Sequence, residues 1–411
     1  MTDIDAARFL EDMRAFSRIG GRPDGGLDRL AWSPADVEGR RWLAARLRES
    51  GLEARTDEAL NVFGHHPDSS GPFLLVGSHA DSVPRGGRLD GAYGVIAALE
   101  VLRSLHESHD PLALRVETVA FADEEGVRFG EGLLGSKALA GDLDISRLRA
   151  ARDREGVPAP EVLRRAGVDL DRMPEAAGHR DQVAAYLELH IEQGPRMAAA
   201  GSRLAVVTGI VGVHRQQVRI AGEQNHAGTT PFRLRRDAGR AAARAIAGLR
   251  ELVQEIDAEA VANVGVIGFE PGAINVVPGR AAFDLEVRHL DEGVIDHILD
   301  AFADRLRAVC EQEGCTAETA LRSRIPPARM DAALMRAFEQ ACRSLDEPVV
   351  HLASGAGHDA QVMARHVPSA MLFVPSHRGI SHAPEEDTPD EDLVRGVRAL
   401  LQGVRAALTG R

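Results

Sequence analysis

Short apolar stretches alternate with amphipathic helical stretches through the first half of the chain. NVFGHH, PFLLVGSH and LALRVETVAFA have the composition of strands, and GVIAALEVLRSLHES, between the last two, has the periodicity of a helix. Strands that are apolar along their length and alternate with helices are typical of an α/β sheet that is largely parallel. The polar ends of such strands are where a functional site is expected.

The pattern changes near residue 211, and a different succession of elements follows up to about residue 328. The predicted strands and helices there are GVHRQQVRIAG, RRDAGRAAARAIAGLRELVQEI, VANVGVIGFE, AAFDLEVRHL, DEGVIDHILDAFADRLRAVCEQEG and CTAETALRSR. Their β-α-β-β-α-β order matches a ferredoxin-like unit, and 411 residues are enough for two domains. We therefore predict a main domain of residues 1–210 and 329–411, into which residues 211–328 are inserted.

The net charge and the cysteine content limit which binding partners and which cellular compartment are expected. The formal net charge of −13 disfavours nucleic acid and anionic membrane surfaces as partners. No apolar run approaches the roughly 20 residues that cross a bilayer, and the acidic N-terminus resembles neither a signal peptide nor a transit peptide. The three cysteines form no CxxC pair, as is usual in a reducing compartment. We therefore expect a cytoplasmic protein.

Potential metal ligands occur where the predicted strands end. His79 and Asp81 lie at the end of PFLLVGSH, and an Asp two residues from a His can hold the imidazole through its second nitrogen. Asp90 lies after a glycine-rich loop and before a helix, where a carboxylate can bridge two cations with its two oxygens. Taken singly, these residues could equally be an ordinary polar strand end and an Asp that caps the following helix.

Further acids and histidines occur at other strand ends. Glu124 and Glu125 are adjacent in FADEEGVRFG, His190 lies in LHIEQGP, and His382 lies in GISHAPEE. Dispersed His and carboxylate ligands are typical of a catalytic metal site, and two ions about 3.5–4 Å apart can share a carboxylate. Because adjacent strand residues point to opposite sides, both acids can face one site only if the strand bends, and Gly126 can supply that bend.

Seven motifs occur in the order found in one enzyme family: GSHADSVPRGGRLDGAYGV, FADEEGVRFG, LHIEQGP, NHAGTTPFRLRRDA, GAINVVPGRAAFDLEVRH, GAGHDAQ and GISHAPEE. In these motifs the chain resembles the dinuclear-metal amidohydrolases. That group includes N-carbamoyl-L-amino-acid hydrolases, allantoate amidohydrolases and β-ureidopropionases, and it is related to the carboxypeptidase G type metallopeptidases. The resemblance extends over nearly the whole chain. It implies a zinc-exopeptidase type α/β catalytic domain with an inserted ferredoxin-like lid and dimerisation domain, and hence a homodimer.

The resemblance also implies two divalent metal ions per subunit. His79, Asp90 and His190 would bind one ion, while Asp90, Glu125 and His382 would bind the other, with Asp90 bridging the pair. Zinc is the first expectation, and manganese, cobalt and nickel can occupy the same nitrogen and oxygen ligands. The His at 190 matches the carbamoylase branch, because peptidase relatives tend to carry an acid there.

Two catalytic roles follow from the same resemblance. Glu124 would be the general base, which takes a proton from the bridging water and passes it to the leaving nitrogen. His226 in NHAGTTP resembles the histidine that reaches a neighbouring subunit's active site and stabilises the developing oxyanion. The two adjacent acids would then have separate tasks, since Glu125 would bind a metal ion and Glu124 would remain unligated.

The residues that would bind the substrate lie in three of these motifs. Asn275 and Arg288 resemble residues that hold the substrate carboxylate, a task that suits the planar fork of Arg. Gln193 and His358 would contact the substrate as well. Phe232 replaces the Met that usually follows GTTP in this group, so the side chain that the pocket accepts is left open.

These residues together predict a metal-dependent amidohydrolase. It would cleave the ureido C–N bond of an N-carbamoyl amino acid, or of a related ureido acid such as allantoate, by attack of a metal-bridging hydroxide. The products would be the amino acid, ammonia and carbon dioxide. Two alternatives stay open, namely an N-acyl-amino-acid deacylase or dipeptidase, and a non-hydrolytic relative recruited to another role.

Overall fold

The computed structural model of the chain describes residues 3–410. The chain forms two compact units, of which one contains the residues up to Gly209 and from Arg329 onward, and the other is Ile210–Ala328. None of the helices within residues 3–410 is long and apolar enough to cross a membrane.

The segment before the inserted unit contains seven helices and six strands among its described residues. The helices are α1 (Ala6–Arg18), α2 (Pro34–Glu49), α3 (Ala92–Glu107), α4 (Leu134–Ala140), α5 (Ile145–Ala150), α6 (Ala159–Arg165) and α7 (Arg196–Ala200), with short 3-10 helices at Pro111–Arg115 and Met173–Gln182. The strands are β1 (Glu53–Thr56), β2 (Val62–His65), β3 (Phe73–His79), β4 (Val116–Phe121), β5 (Val183–Ile191) and β6 (Ala205–Ile210).

Local sequence accounts for the positions of α2 and α3. The hydroxyl of Ser33 accepts the backbone N–H of Asp36 at 3.2 Å, and Pro34 is the first residue of α2, as expected for a capped helix start. Helix α3 is apolar on nearly all sides, and every residue from Ala92 to Leu105 is buried. It therefore lies inside the core, where it contacts β3, β4 and α1.

The inserted unit is an antiparallel sheet covered by helices. Its elements are β7 (Gly212–Ala221), β8 (Asn225–His226), a 3-10 turn (Phe232–Leu234), α8 (Ala238–Ala247), α9 (Leu249–Ile256), β9 (Val261–Glu270), β10 (Val276–Val277), β11 (Arg280–His289), α10 (Glu292–Glu313) and β12 (Thr316–Ile325). The sheet has the order β12-β7-β11-β9, and apolar residues of the helices and of this sheet form a core of their own. The β-α-β-β-α-β order and this strand order are those of a ferredoxin-like unit.

The long helix predicted for residues 235–256 is instead two helices, α8 and α9, which meet at Gly248. The Arg305 guanidinium fills the space beside the junction, where a Cβ atom at Gly248 would lie 1.9 Å from its Nη2. The same guanidinium donates to the carbonyls of Arg244 and Ala245. These carbonyls belong to the last turn of α8, whose acceptors lack helical partners, so Arg305 stabilises the break.

The chain then returns to the first unit. The remaining elements are β13 (Ala328–Arg329), α11 (Ala332–Ser344), β14 (His351–Ser354), α12 (Asp359–Met363), β15 (Ser369–Val374), a 3-10 turn (His377–Gly379) and α13 (Asp390–Thr409). They complete a nine-stranded sheet with the order β1-β2-β4-β3-β5-β15-β6-β13, in which β14 pairs with β6.

The four central strands of this sheet, β4, β3, β5 and β15, are parallel to one another. Their carboxyl ends therefore meet at one edge of the sheet. The strands β2 and β6 flank them in antiparallel orientation. The predicted α/β fold class is confirmed, and the parallel centre determines where the polar strand ends converge.

Candidate active site

The predicted ligands come from the carboxyl-terminal edge of the four parallel strands. His79 is the last residue of β3, His190 lies near the end of β5, Glu125 follows β4, and His382 lies on the loop after β15. Asp90 immediately precedes the turn into α3, whose cap position is Gly91 and has no side-chain cap. The alternative that Asp90 caps this helix is therefore wrong.

The carboxylate of Asp90 lies between two groups of potential ligands. Its Oδ1 is 3.4 Å from Nε2 of His79 and 3.2 Å from Nε2 of His190. Its Oδ2 is 3.0 Å from Nε2 of His382, and that nitrogen is 3.6 Å from Oε2 of Glu125. In each group the ligand atoms lie within 4.8 Å of one another. The two oxygens of one carboxylate thus face two separate sets of donors.

The histidine tautomers fit metal binding. Nδ1 of His79 donates to the carbonyl of Asp81 at 3.2 Å, and Nδ1 of His190 donates to the carbonyl of Ile191 at 2.9 Å. A neutral imidazole with its proton on Nδ1 leaves the Nε2 lone pair available. A hydrogen bond from the second nitrogen is the usual arrangement around a metal-bound histidine. Nε2 of His190 accepts the backbone N–H of Gly91 at 3.2 Å, as an unprotonated nitrogen does, so Nε2 is the nitrogen that each ring can offer to an ion.

The charges of the site also fit cations. Burial would raise the pKa of Asp90, but the adjacent rings of His190, His382 and His79 hold that pKa well below its usual range. The hydrogen bond to Asp90 raises the pKa of His382 to about 9. Burial and the Asp90 charge raise the pKa of Glu125 to about 8, and its buried Oε1 has no hydrogen-bond partner among residues 3–410. Crowded acids and an unsatisfied oxygen are what a divalent cation would stabilise.

The two adjacent acids reach the site through a bend that begins earlier than predicted. Asp123 has a φ of 53° and Gly126 a φ of 62°, and a left-handed backbone is unusual for a residue other than glycine. The carboxylate of Asp81 accepts the backbone N–H groups of Glu124 and Glu125 at 3.2 and 3.4 Å. Asp81 was predicted to hold the His79 ring, but its carboxylate lies 3.8 Å from Nδ1, because it is engaged in this bend.

Glu124 lies beside the two ligand groups and belongs to neither of them. Its Oε2 is 3.9 Å from Nε2 of His79, and 11% of its side chain is exposed. Burial raises its pKa well above the usual value, while the neighbouring His79 lowers it. A carboxylate that is close to the ligands but unligated is free to accept and release a proton.

The structure places Gln193 and His358 next to the ligands. Gln193 has a φ of 57°, and its Nε2 donates to Oδ2 of Asp90 at 2.8 Å. His358 is buried, forms a hydrogen bond of 2.8 Å with the Ser354 hydroxyl, and packs edge-to-face on His190 with ring centroids 4.5 Å apart. Both residues therefore support ligands here, and their contact with a substrate stays a prediction.

Three other predicted site residues belong to the inserted unit. His226 lies in β8, which pairs with β10, and the carbonyl of Asn275 accepts the N–H of Ala227 at 2.9 Å. Nδ1 of His226 accepts the N–H groups of Gly228 and Thr229 at 3.0 and 3.2 Å, so the neutral ring carries its proton on Nε2.

Arg288 lies in β11 of the same unit, where its Nε donates to Oε1 of Glu286 at 2.7 Å. The structure thus places His226 and Asn275 at the two-stranded sheet of β8 and β10 and Arg288 on the four-stranded sheet. Their roles toward a substrate stay predictions.

One buried acid behind the ligands was missed. Oε1 of Glu188 accepts the hydroxyl of Ser78 at 2.7 Å, and Oε2 accepts the N–H of Ala360 at 3.0 Å. Glu188 also lies close to His190 and His358. The sequence contained a signal for Glu188. This acid lies two residues before His190 in an otherwise apolar strand, so the two side chains share one face of the sheet.

Comparisons with known proteins identify the family of the chain. Residues 75–406 match the family described as Peptidase family M20/M25/M40. The chain is 37% identical over 409 residues to an N-carbamoyl-L-amino acid amidohydrolase of Geobacillus stearothermophilus, with 98% of each chain covered. It is 35% identical over 386 residues to an allantoate amidohydrolase of Bacillus subtilis strain 168, with 93% of each covered.

A solved structure gives the same result. An amidase of the hydantoinase/carbamoylase family from Burkholderia phymatum superposes with a TM-score of 0.89 at 38% identity, and 100% of both chains is covered. The resemblance inferred from the motifs is confirmed. The chain belongs to peptidase family M20/M25/M40.

Proposed function

We propose that the protein is a metal-dependent amidohydrolase that cleaves the ureido C–N bond of an N-carbamoyl amino acid or of a related ureido acid such as allantoate. The observation that carries this proposal is the Asp90 carboxylate, whose oxygens face two ligand groups with Glu124 beside them. The names of the relatives, which include N-carbamoyl-L-amino acid and allantoate amidohydrolases, support the ureido substrate class.

The residues present fit two divalent ions in each subunit. His79, Asp90 and His190 would hold one ion, and Asp90, Glu125 and His382 would hold the other. Zinc suits these nitrogen and oxygen donors, as do manganese, cobalt and nickel. When bound, the ions would polarise the ureido carbonyl and lower the pKa of a bound water toward about 7.

Proton transfer is the task of Glu124. Its carboxylate takes one proton from the water that attacks the ureido carbon and delivers that proton to the amino-acid nitrogen as the C–N bond breaks. The amino acid leaves, and the carbamic acid that remains decomposes to ammonia and carbon dioxide. The burial of Glu124 suits both halves of this cycle, because burial disfavours the charged form and raises the pKa of this carboxyl well above its usual value.

The inserted unit would recognise the substrate and complete the site as a lid. Arg288 and Asn275 would hold the substrate carboxylate, and the Nε2–H of His226 would donate to the carbonyl oxygen as it becomes negative. This donor is available because Nδ1 of His226 already accepts two backbone N–H groups.

The sheet of the inserted unit supports a homodimer. Strand β9 lies at the edge of that sheet, and its exposed side chains include Val261, Val266, Ile267 and Phe269. A long apolar edge strand is a template for pairing with another strand. We therefore infer that two copies of the chain associate through this unit, and that His226 serves the partner's site.

A substrate screen on metal-depleted and reloaded protein tests the function. Ammonia release from N-carbamoyl amino acids, β-ureidopropionate and allantoate is expected only after zinc, manganese, cobalt or nickel is restored. The measurement compares this with amine release from N-acyl amino acids and dipeptides. Full activity of the metal-free protein would contradict the proposal, and faster turnover of acyl substrates would favour a deacylase or dipeptidase instead.

Arg288→Ala is expected to lower kcat/KM for ureido acids by about 10- to 100-fold, the loss that follows removal of a hydrogen bond to a charged group. Arg215→Ala is the matched control, because Arg215 Nε donates to the other oxygen of the same Glu286 at 2.6 Å. Steady-state kinetics with a ureido acid and with its neutral amide measure the difference. Equal losses in both variants, or an equal loss with the neutral amide, would contradict carboxylate binding by Arg288.

A further inference from the structure

Glu386, the last residue of the motif GISHAPEE, has no role in the site described so far. It lies on the loop between β15 and α13, four residues after His382. Its side chain is buried, whereas the adjacent Glu385 is exposed. A buried carboxylate is costly unless its oxygens accept hydrogen bonds, so the partners of Glu386 indicate why it is there.

The two oxygens of Glu386 bind two different segments of the chain. Oε1 accepts the backbone N–H groups of Leu89 and Asp90 at 2.9 and 3.0 Å. Oε2 accepts the hydroxyl of Ser381 at 2.6 Å. All three donors are uncharged. One side chain thus connects the turn that carries the shared carboxylate to the loop that carries His382.

This connection holds two ligands that meet in space but are distant in sequence. Oδ2 of Asp90 and Nε2 of His382 are 3.0 Å apart. His382 has a φ of 56°, a left-handed conformation that persists only where surrounding contacts hold it. The hydrogen bond between Ser381 and Glu386 is such a contact, one residue away from His382.

The glycine-rich loop leaves room for the Glu386 carboxylate. A Cβ atom at Gly87 would lie 2.1 Å from both Cδ and Oε1 of Glu386. A larger residue at position 87 would therefore displace the carboxylate. Gly87 offers a second way to disturb the same contact, and it does so without changing any ligand side chain.

We infer that Glu386 is a positioning residue that sets the distance between Asp90 and His382 for the metal pair. The inference rests on the proposed function, because it concerns the same two ions. Removal of Glu386 frees the His382 loop, so the affinity of the metal site that contains His382 falls more than the affinity of the other site. Outer partners of metal ligands typically contribute about 10- to 100-fold in affinity. Glu386→Ala is expected to lower the affinity of the His382 site by about this factor.

Titration of the metal-free protein with Co²⁺ measures the affinity of both metal sites. The visible absorption of bound Co²⁺ reports ligand geometry, and competition with a chelator gives a dissociation constant for each site. Glu385→Ala is the matched control, because it removes the same charge from the neighbouring, exposed position. Glu386→Gln is expected to be intermediate, since its amide oxygen still accepts the two N–H groups and its amide nitrogen donates to the Ser381 hydroxyl.

Gly87→Ala provides the independent comparison. It is expected to lower the affinity of the same metal site as Glu386→Ala does. The double variant is expected to bind the ion only slightly less tightly than either single variant, because both changes remove the same contact. This comparison also keeps the inference testable if Glu386→Ala does not fold.

Three results would overturn the inference. In the first, Glu386→Ala and Glu385→Ala bind both ions with the same affinity. In the second, Glu386→Ala lowers the thermal midpoint of the metal-free protein but changes neither dissociation constant nor the Co²⁺ spectrum, as a purely structural brace would. In the third, the unaltered protein binds no pair of ions, and the proposed function then falls together with the inference. The first two results leave the proposed function standing.

Discussion

Glu124→Gln is expected to leave both metal ions bound and to lower kcat by about 100- to 10,000-fold, the range typical of general acid–base catalysis. The amide keeps the size of the side chain but cannot take a proton from the attacking water. Glu124 is outside both ligand groups, although its Oε2 lies only 3.9 Å from Nε2 of His79. Single-turnover kinetics on metal-loaded protein, with the metal content measured on the same sample, provides the check.

Glu125→Gln is the control for this prediction, because the substitution is identical and one residue away. Oε2 of Glu125 lies 3.6 Å from Nε2 of His382 within a ligand group. This variant removes a ligand charge and is therefore expected to lower the affinity of that metal site. Adding excess metal should then restore part of its activity, but none of the activity of Glu124→Gln. If Glu124→Gln also recovered with excess metal, Glu124 would be a ligand and the assignment of the base would be wrong.

Asp90→Asn is expected to release both ions and to abolish turnover, because Asp90 is the one residue shared by the two ligand groups. The amide keeps the shape of the side chain but carries no charge. Loss of a partner outside the ligand shell already costs about 10- to 100-fold in metal affinity. This variant should therefore lower the affinity of each metal site by more than about 100-fold. Metal content after dialysis, together with kcat/KM, measures the effect.

His382→Ala is the matched variant for Asp90→Asn. It removes a ligand from one group and leaves His79, Asp90 and His190 in place, so one ion is expected to remain bound per chain. Far-UV circular dichroism of both variants shows whether the fold is retained. Two ions retained by a folded Asp90→Asn protein would contradict the bridging role of Asp90.

Much of the fold followed from local patterns. The apolar stretches PFLLVGSH and LALRVETVAFA predicted β3 and β4, and the periodicity of GVIAALEVLRSLHES predicted α3, because these patterns reflect which faces are buried. The long helix predicted across Gly248 was wrong, because the break depends on Arg305, which reaches it from α10. Residues so distant in sequence leave no local signal.

Much of the candidate site was also predicted from the sequence. The order of the motifs indicated a family, and the polar strand ends identified His79, His190 and the adjacent acids as ligand types. The sequence did not show that the Asp81 carboxylate binds the backbone of the bend, while the Asp81 carbonyl holds the His79 ring. It also did not show that Gln193 donates to Asp90, because both contacts depend on loop conformations with positive φ at Asp123 and Gln193.

The kinds of element, their order and the chemical types of the potential ligands could be read from local sequence, since these depend on the periodicity and identity of nearby residues. Which of those residues meet depends on tertiary packing. The parallel alignment of β4, β3, β5 and β15 brings their carboxyl ends together, and the loop after β15 then places Glu386 against the N–H of Asp90, 296 residues earlier in the chain. A contact of this kind arises from strand order and packing, which no single stretch of sequence contains.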